Sequence, residues 1–431
     1  MNRPSTSVLI ALLCVGCFDS PSAADAQSAS PTSAQVPTAP VAAATPGVTP
    51  IYVTVGAHLE NKLPLPCEQE GCSGHCQEAY LRFRANIVDY AELMQRYGAS
   101  YNVQTNFHLP LLEEACVDDA TRAATTNGKH LLVYLMEDLG AMIDTHAHES
   151  QIERHKAIYN YADVSQLLVD AGVPRDTLTV VGGCLAGSSE QFARFQGGFE
   201  GSHFPDLRWT PELFTFPAVH DHDPSGEDFT SGLWRPGDFD WEPAAGRMGE
   251  KYYSHDPAGE HIMVGSGYLH SCAGRYPKGS FWLASDYVVT LARYLEQGKA
   301  PAGRMYTATV AMNQKHFKDP DTYMGFIEQE LKDLQPLVDS GQVIYKHYQE
   351  LPAIWARDYD SQPNLYRFED IDPADYTCDG QGQAIGTAAG RQLVLPPGQG
   401  KGSKQRPQGQ RPEAGGRGGG GGGKKAGGGK R

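Results

Sequence analysis

The chain has 431 residues, 40% of them hydrophobic and 10% aromatic, too apolar for a disordered protein and enough to bury one large core or two smaller ones. Its formal charge is −15, yet residues 396–431 carry nine Lys or Arg against one Glu, which leaves −23 on the remainder. A body that acidic repels phosphate backbones and argues against a nucleic-acid enzyme.

The first residues read as a targeting segment. Arg3 is a positive start, Val8 to Val15 a short apolar stretch, and Cys14-Val15-Gly16-Cys17 a small-residue end. Residues 1–17 resemble a bacterial lipoprotein signal with Cys17 as the lipidated residue, although Cys14 stands where Leu is usual. A plain secretory signal cut further on is the alternative. Either one places the protein outside the cytoplasm, and the lipoprotein reading anchors it to the cell envelope. Residues 18–48, rich in Ala, Ser and Pro, read as a linker. No run of 18 apolar residues follows, so no internal membrane span is expected.

Removing Cys14 and Cys17 from nine Cys leaves an odd set: Cys67, Cys72, Cys76, Cys116, Cys184, Cys272 and Cys378. Cys67, Cys72 and Cys76 flank His75 and could form a zinc knuckle. In an oxidising compartment a disulfide-stapled loop is the better reading, with connectivity open.

Strand and helix then alternate. The β-branched run Pro50 to Gly56 predicts a buried strand, and residues 78–97 a helix stopped by Gly98. Ser100 to Thr105 is a second strand, Leu131 to Leu139 a helix closed by Gly140, and Ala141 to His146 a third strand. Asn160 caps a helix that Gly172 ends. Strands follow at Thr177 to Val181, Phe214 to Val219 and His261 to Gly265. A helix covers Phe281 to Gln297, a strand Met305 to Met312, a helix Thr322 to Leu337 and a last strand Val343 to His347. Repeated alternation predicts an α/β fold with parallel strands, a distorted seven- or eight-stranded (β/α) barrel over residues 49–370. An open doubly wound sheet is the runner-up, but no G-x-G-x-x-G follows the first strand. Residues 371–395 read as a C-terminal extension. Residues 396–431 are a Gly-rich basic tail expected to be disordered.

In a parallel barrel, chemistry collects at the C-terminal ends of strands. The first strand ends with His58 and Glu60 at i and i+2, on one side. The third ends with Asp144, His146 and His148, again sharing a side. If both groups face the barrel mouth, imidazoles and a carboxylate converge as a site for Zn²⁺ or another first-row cation. The metal ligands are therefore expected to be His58, Glu60, His146 and His148. Glu60 or Asp144 would accept a proton from water, and Asp144 could instead orient an imidazole. His270 and His316 each follow a strand and could donate a proton. His220 to Asp223 form a polar loop that could add a ligand. Gln104 and Asn106 suit sugar hydroxyls, and Trp234 with Arg235 suits a sugar ring.

The segment Leu139-Gly140-Ala141-Met142-Ile143-Asp144-Thr145-His146-Ala147-His148 resembles the Gly-His-Glu-Ile-x-x-His segment of the polysaccharide deacetylases, the family 4 carbohydrate esterases. Met312 to Phe317, a helix, then Gly341-Gln342-Val343 and Gln349-Glu350-Leu351 look like the closing elements of the same glycoside hydrolase/deacetylase barrel superfamily. The resemblance spans about residues 50–352. It implies a metal-dependent hydrolase that deacetylates an N-acetylated polysaccharide through metal-activated water, its substrate a carbohydrate polymer and its cofactor a divalent metal such as zinc. The family's first strand ends in an Asp pair, where this chain has His58-Leu59-Glu60. The family's H-x-x-x-H is His146-Ala147-His148 here, and its late Leu-x-His falls near Asn313, with His316 three residues on. A glycoside hydrolase on the same barrel, or a lipid-anchored carbohydrate-binding protein, are the alternatives.

Overall fold

The computed structural model describes residues 47–59, 72, 74–147, 159–182, 195, 197–215, 231–238, 241–242, 247–248, 250–265, 285–366, 377–378 and 383–384. Its first strand, β1 (Ile51–Leu59), is buried along its whole length. Helix α1 (His75–Arg96) follows and buries Ile87, Tyr90, Ala91 and Met94 on one face, the spacing of an amphipathic helix. It gives way at Gly98, whose φ of 61° suits glycine. Strand β2 (Tyr101–Thr105) leads to short helices α2 (His108–Cys116), α3 (Asp119–Thr125) and α4 (Leu131–Glu137), then β3 (Met142–Thr145). Helix α5 (Tyr161–Asp170) starts from a capping box. The Asn160 side chain accepts from the Asp163 amide, and the Asp163 carboxylate accepts from the Asn160 amide, both at 2.9 Å. Strands β4 (Val180–Val181), β5 (Leu213–Phe214), β6 (Leu233–Trp234) and β7 (Ile262–Val264) come next. Helix α6 (Ser285–Glu296), β8 (Tyr306–Asn313), α7 (Gln314–Lys318), α8 (Pro320–Asp339), β9 (Val343–Tyr345) and α9 (Leu351–Tyr359) complete the barrel region. Small antiparallel ribbons pair 199–200 with 208–209, 241–242 with 247–248, and 377–378 with 383–384.

The barrel strands run in the order β8-β1-β2-β3-β4-β5-β7-β6, and β9 pairs with the first residues of β1. Every pairing is parallel except β7 with β6. The two ends of this path meet through side chains. Ser231 Oγ donates to the Thr307 carbonyl and accepts from the Thr307 amide, each at 2.8 Å. Thr307 Oγ1 accepts from Gly232 N at 2.8 Å and donates to the Gly265 carbonyl at 2.7 Å. Two hydroxyls thus replace backbone ladder bonds across the seam, and the parallel barrel expected from the strand–helix alternation is nearly closed.

Period-2 alternation sorts the strands. Val53, Val55, Ala57, Val103 and Ile143 join the hydrophobic core. The intervening Thr54, Asn102, Gln104, Asp144 and Thr309 are also buried, but they are polar. Their hydrogen bonds reach elements that are not sheet neighbours: Gln104 to Thr215 beyond β5, Asn102 to Gln349 beyond β9, and Thr309 to Tyr348. Such bonds run across the lumen, so this barrel has a polar interior.

The stapled-loop reading of the cysteines holds. Cys72 is bonded to Cys116, tying the segment before α1 to the end of α2, and Cys76 is also in a disulfide. Among the described residues no helix is long and apolar enough to cross a membrane. Cys17, residues 18–46 and the basic tail lie outside the described residues.

Candidate functional site

Parallel register sets the site. His58 of β1 stands opposite Gln104 of β2, and Gln104 stands opposite Asp144 of β3. On its other edge His58 is in register with Asn313 of β8. His146 lies two residues past Asp144, on the same side of its strand.

The two imidazoles converge over the intervening strand. The ring centroids of His58 and His146 are 5.4 Å apart and their planes cross at 80°. Two imidazoles on one tetrahedral ion, each nitrogen about 2.0–2.1 Å from it, would have centroids about 5 Å apart. The observed pair fits that demand. His58 is 5% exposed and His146 1% exposed, so both rings are desolvated. His146 Nδ1 is hydrogen-bonded to the Gly182 carbonyl, which leaves the lone pair of the neutral ring on Nε2.

Beside them Asp144 is fully buried in a cage of primary amides. Asn102 Nδ2 donates to both carboxylate oxygens at 3.0 Å. Gln349 Nε2 donates to Oδ1 at 2.6 Å and Gln104 Nε2 to Oδ2 at 3.3 Å. These four contacts match the four lone-pair sites of an ionised carboxylate. Burial pushes the pKa of Asp144 up to about 7, against the opposing pull of the amide donors. Asn102 in turn accepts from the Tyr348 amide and lies 3.1 Å from His347 Nδ1.

Gly182 completes the cluster. A Cβ built there would lie 2.5, 2.6 and 2.7 Å from three carbons of Gln104. Glycine therefore lets the Gln104 side chain lie against the backbone whose carbonyl orients His146.

Other sequence-predicted residues take different places. Asn106 closes a tight turn just ahead of α2, its Oδ1 accepting from the His108 amide at 3.1 Å. Trp234 is 1% exposed, its Nε1 donating to the Tyr252 carbonyl, so its ring is part of the core. Arg235 donates to the Gly259 and Glu260 carbonyls and lies 5.7 Å over the Trp355 ring. His316 forms a capping box with Asn313 at the start of α7, and burial lowers its pKa to about 4. Glu60, His148, His220 to Asp223 and His270 lie outside the described residues. Among the described residues no group of three or more His, Cys, Asp or Glu is placed to hold a metal ion. Asn102, Thr215, His347 and Gln349 were not singled out from sequence. Asn102 was accessible, because it precedes Gln104 by two residues on the same side of β2.

No family model matches the chain, and no curated protein matches it. Among solved structures it is similar to a probable polysaccharide deacetylase from Pseudomonas aeruginosa PAO1. That match has a TM-score of 0.41 and 11% sequence identity, and covers 74% of this chain and 95% of the other.

Proposed function

We propose that the chain is a metal-dependent hydrolase of extracytoplasmic carbohydrate, removing acetyl groups from an N-acetylated polysaccharide. The observation that carries the reading is the perpendicular approach of His58 and His146 at 5.4 Å in a buried, polar barrel lumen. These two side chains would hold a divalent cation, with zinc the best match to imidazole donors, and Glu60 and His148 are the proposed further ligands. When bound, the cation supplies Lewis-acid polarisation of the acyl oxygen and acidifies water. Asp144, beside the imidazoles in the row of strands, has its oxygens occupied by amide donors. That disfavours Asp144 as the proton acceptor and leaves Glu60 as the proposed one. His316, its pKa lowered to about 4 by burial, is not an imidazolium acid at pH 7, so His270 is the proposed donor to the leaving amine.

Deacetylation is preferred to glycosidic cleavage, which uses two carboxylates flanking the bond. Among the described residues Asp144 is the one carboxylate tied into the cluster. The Cys72–Cys116 disulfide supports an oxidising compartment, as the lipoprotein-type signal anchored through Cys17 would require. The test is release of acetate from acetylated glycans by zinc-loaded protein, with loss on chelation. Metal binding without acetate release contradicts the reading, and new reducing ends would favour the glycosidase instead.

A further inference from the structure

Gln104 was assigned from sequence to sugar hydroxyls, but its surroundings point elsewhere. It is fully buried, so a polymer substrate has no access to it in this conformation. Its Nε2 donates to Thr215 Oγ1 at 2.9 Å and to Asp144 Oδ2 at 3.3 Å. The Thr215 hydroxyl donates to the Val181 carbonyl at 3.2 Å, so toward Gln104 it can only accept. Both neighbours of the amide on this side are acceptors, which fixes nitrogen there and oxygen on the opposite flank. That oxygen, Oε1, is buried and has no hydrogen-bond partner among the described residues. An unmatched buried carbonyl is destabilising unless something absent from the protein atoms satisfies it. The lateral neighbours of Gln104 are Asp144, where the nitrogen is engaged, and His58 on the other strand. An oriented neutral oxygen therefore stands in the row between the two strands that carry the imidazoles.

We infer that Gln104 Oε1 is a further ligand of the divalent cation held by His58 and His146. The inference rests on the metal-site reading above and adds one oxygen donor to it. An amide oxygen joining two imidazoles makes a mixed N/O set suited to zinc, cobalt or manganese. The network that orients it is the Thr215 hydroxyl, the Asp144 carboxylate and the close approach of Gly182.

The test is titration of the full chain with Co²⁺, read by calorimetry and by the visible d–d absorption of the bound ion. The variants are Gln104→Met, nearly the same size without the oxygen, and Gln104→Glu, which keeps an oxygen at the same reach. A ligand role gives at least about a tenfold loss of affinity and an altered d–d spectrum in Gln104→Met. It gives affinity equal to or tighter than wild type in Gln104→Glu. A packing role gives the reverse order, because methionine fills the space against Gly182 while glutamate sets like charge against Asp144. Unchanged affinity and spectrum in Gln104→Met, or weaker binding in Gln104→Glu, overturns the inference. If Gln104→Met does not fold, Gln104→Glu decides alone. Wild-type protein that binds no Co²⁺ overturns the metal-site reading itself, a result distinct from binding that is indifferent to Gln104.

Discussion

Replacing Gly182 with alanine tests how tightly the cluster is built. The added methyl would lie 2.5–2.7 Å from Cβ, Cδ and Cγ of Gln104, so the two groups must separate by roughly 1 Å to reach ordinary van der Waals contact. Gln104 is held by its bonds at 2.9 Å to Thr215 and 3.3 Å to Asp144, which a shift of that size breaks. Overpacking alone destabilises by about 1–3 kcal/mol, and a lost hydrogen bond adds about 0.5–1.5 kcal/mol, more where the acceptor is charged. The total is about 2–4 kcal/mol. The same movement disturbs the Gly182 carbonyl that orients His146, so cation affinity should fall together with stability. Gly140 provides the control: its φ is +72° and a Cβ there meets nothing within 4 Å. Gly140→Ala should therefore lose about 1 kcal/mol from backbone strain, with cation affinity kept. Urea unfolding and zinc titration of both variants measure the pair. Equal destabilisation in the two, or unaltered zinc affinity in Gly182→Ala, would refute the reasoning.

Three further outcomes are expected. Removing the Cys72–Cys116 bond, as Cys72→Ala with Cys116→Ala, reopens a loop of sequence separation 44 and should lower unfolding stability by about 4 kcal/mol on chain-entropy grounds; no loss in urea unfolding would show that the bond constrains nothing. Glu113→Leu strands the buried Arg84 guanidinium, whose Nε lies 2.9 Å from the Glu113 carboxylate, and should cost about 3–5 kcal/mol in the same assay. A loss under about 1 kcal/mol would mean that Thr125 and Thr126, which accept from Arg84 at 2.7 and 2.8 Å, satisfy it alone. Burial lowers the pKa values of His316 and His347 to about 4, below the unfolded value of about 6.5. The unfolded chain therefore binds more protons between pH 6.5 and 4, so stability is complete above pH 6.5 and declines as pH falls toward 4. His316→Gln should flatten the slope of unfolding free energy against pH in that window, and an unchanged slope would contradict the assignment.

The legible and illegible parts of the sequence differ in kind. β1 and β8 are long and bounded by breakers, and α1 and α5 show apolar spacing with a glycine stop or an Asn cap, so local signals sufficed. The strands expected at Thr177 to Val181 and Phe214 to Val219 are present as β4 and β5, but each is only two residues long, because neighbouring strands set where the pairing starts and stops. The antiparallel β6 and the side-chain seam at Ser231 and Thr307 depend on closure, a property of the whole barrel. The meeting of His58 with His146 was readable because both lie at the C-terminal ends of strands, on the side set by period-2 alternation. The amide cage was not: Gln349 is 205 residues from Asp144, and no local pattern marks it as a partner. Trp234 and Asn106 show how little a side chain's type alone decides. Each has a side chain suited to sugars, but a carbonyl of Tyr252 and an amide of His108 already engage them.

The most direct measurement is X-ray absorption at the zinc edge on the purified full chain, with bound zinc quantified in wild type, His58→Ala and His146→Ala. One zinc per chain with imidazole scattering is expected in wild type, reduced or lost in each variant. Wild-type protein without zinc, or variants that keep the same stoichiometry and the same imidazole signal, would show that these two rings do not share an ion.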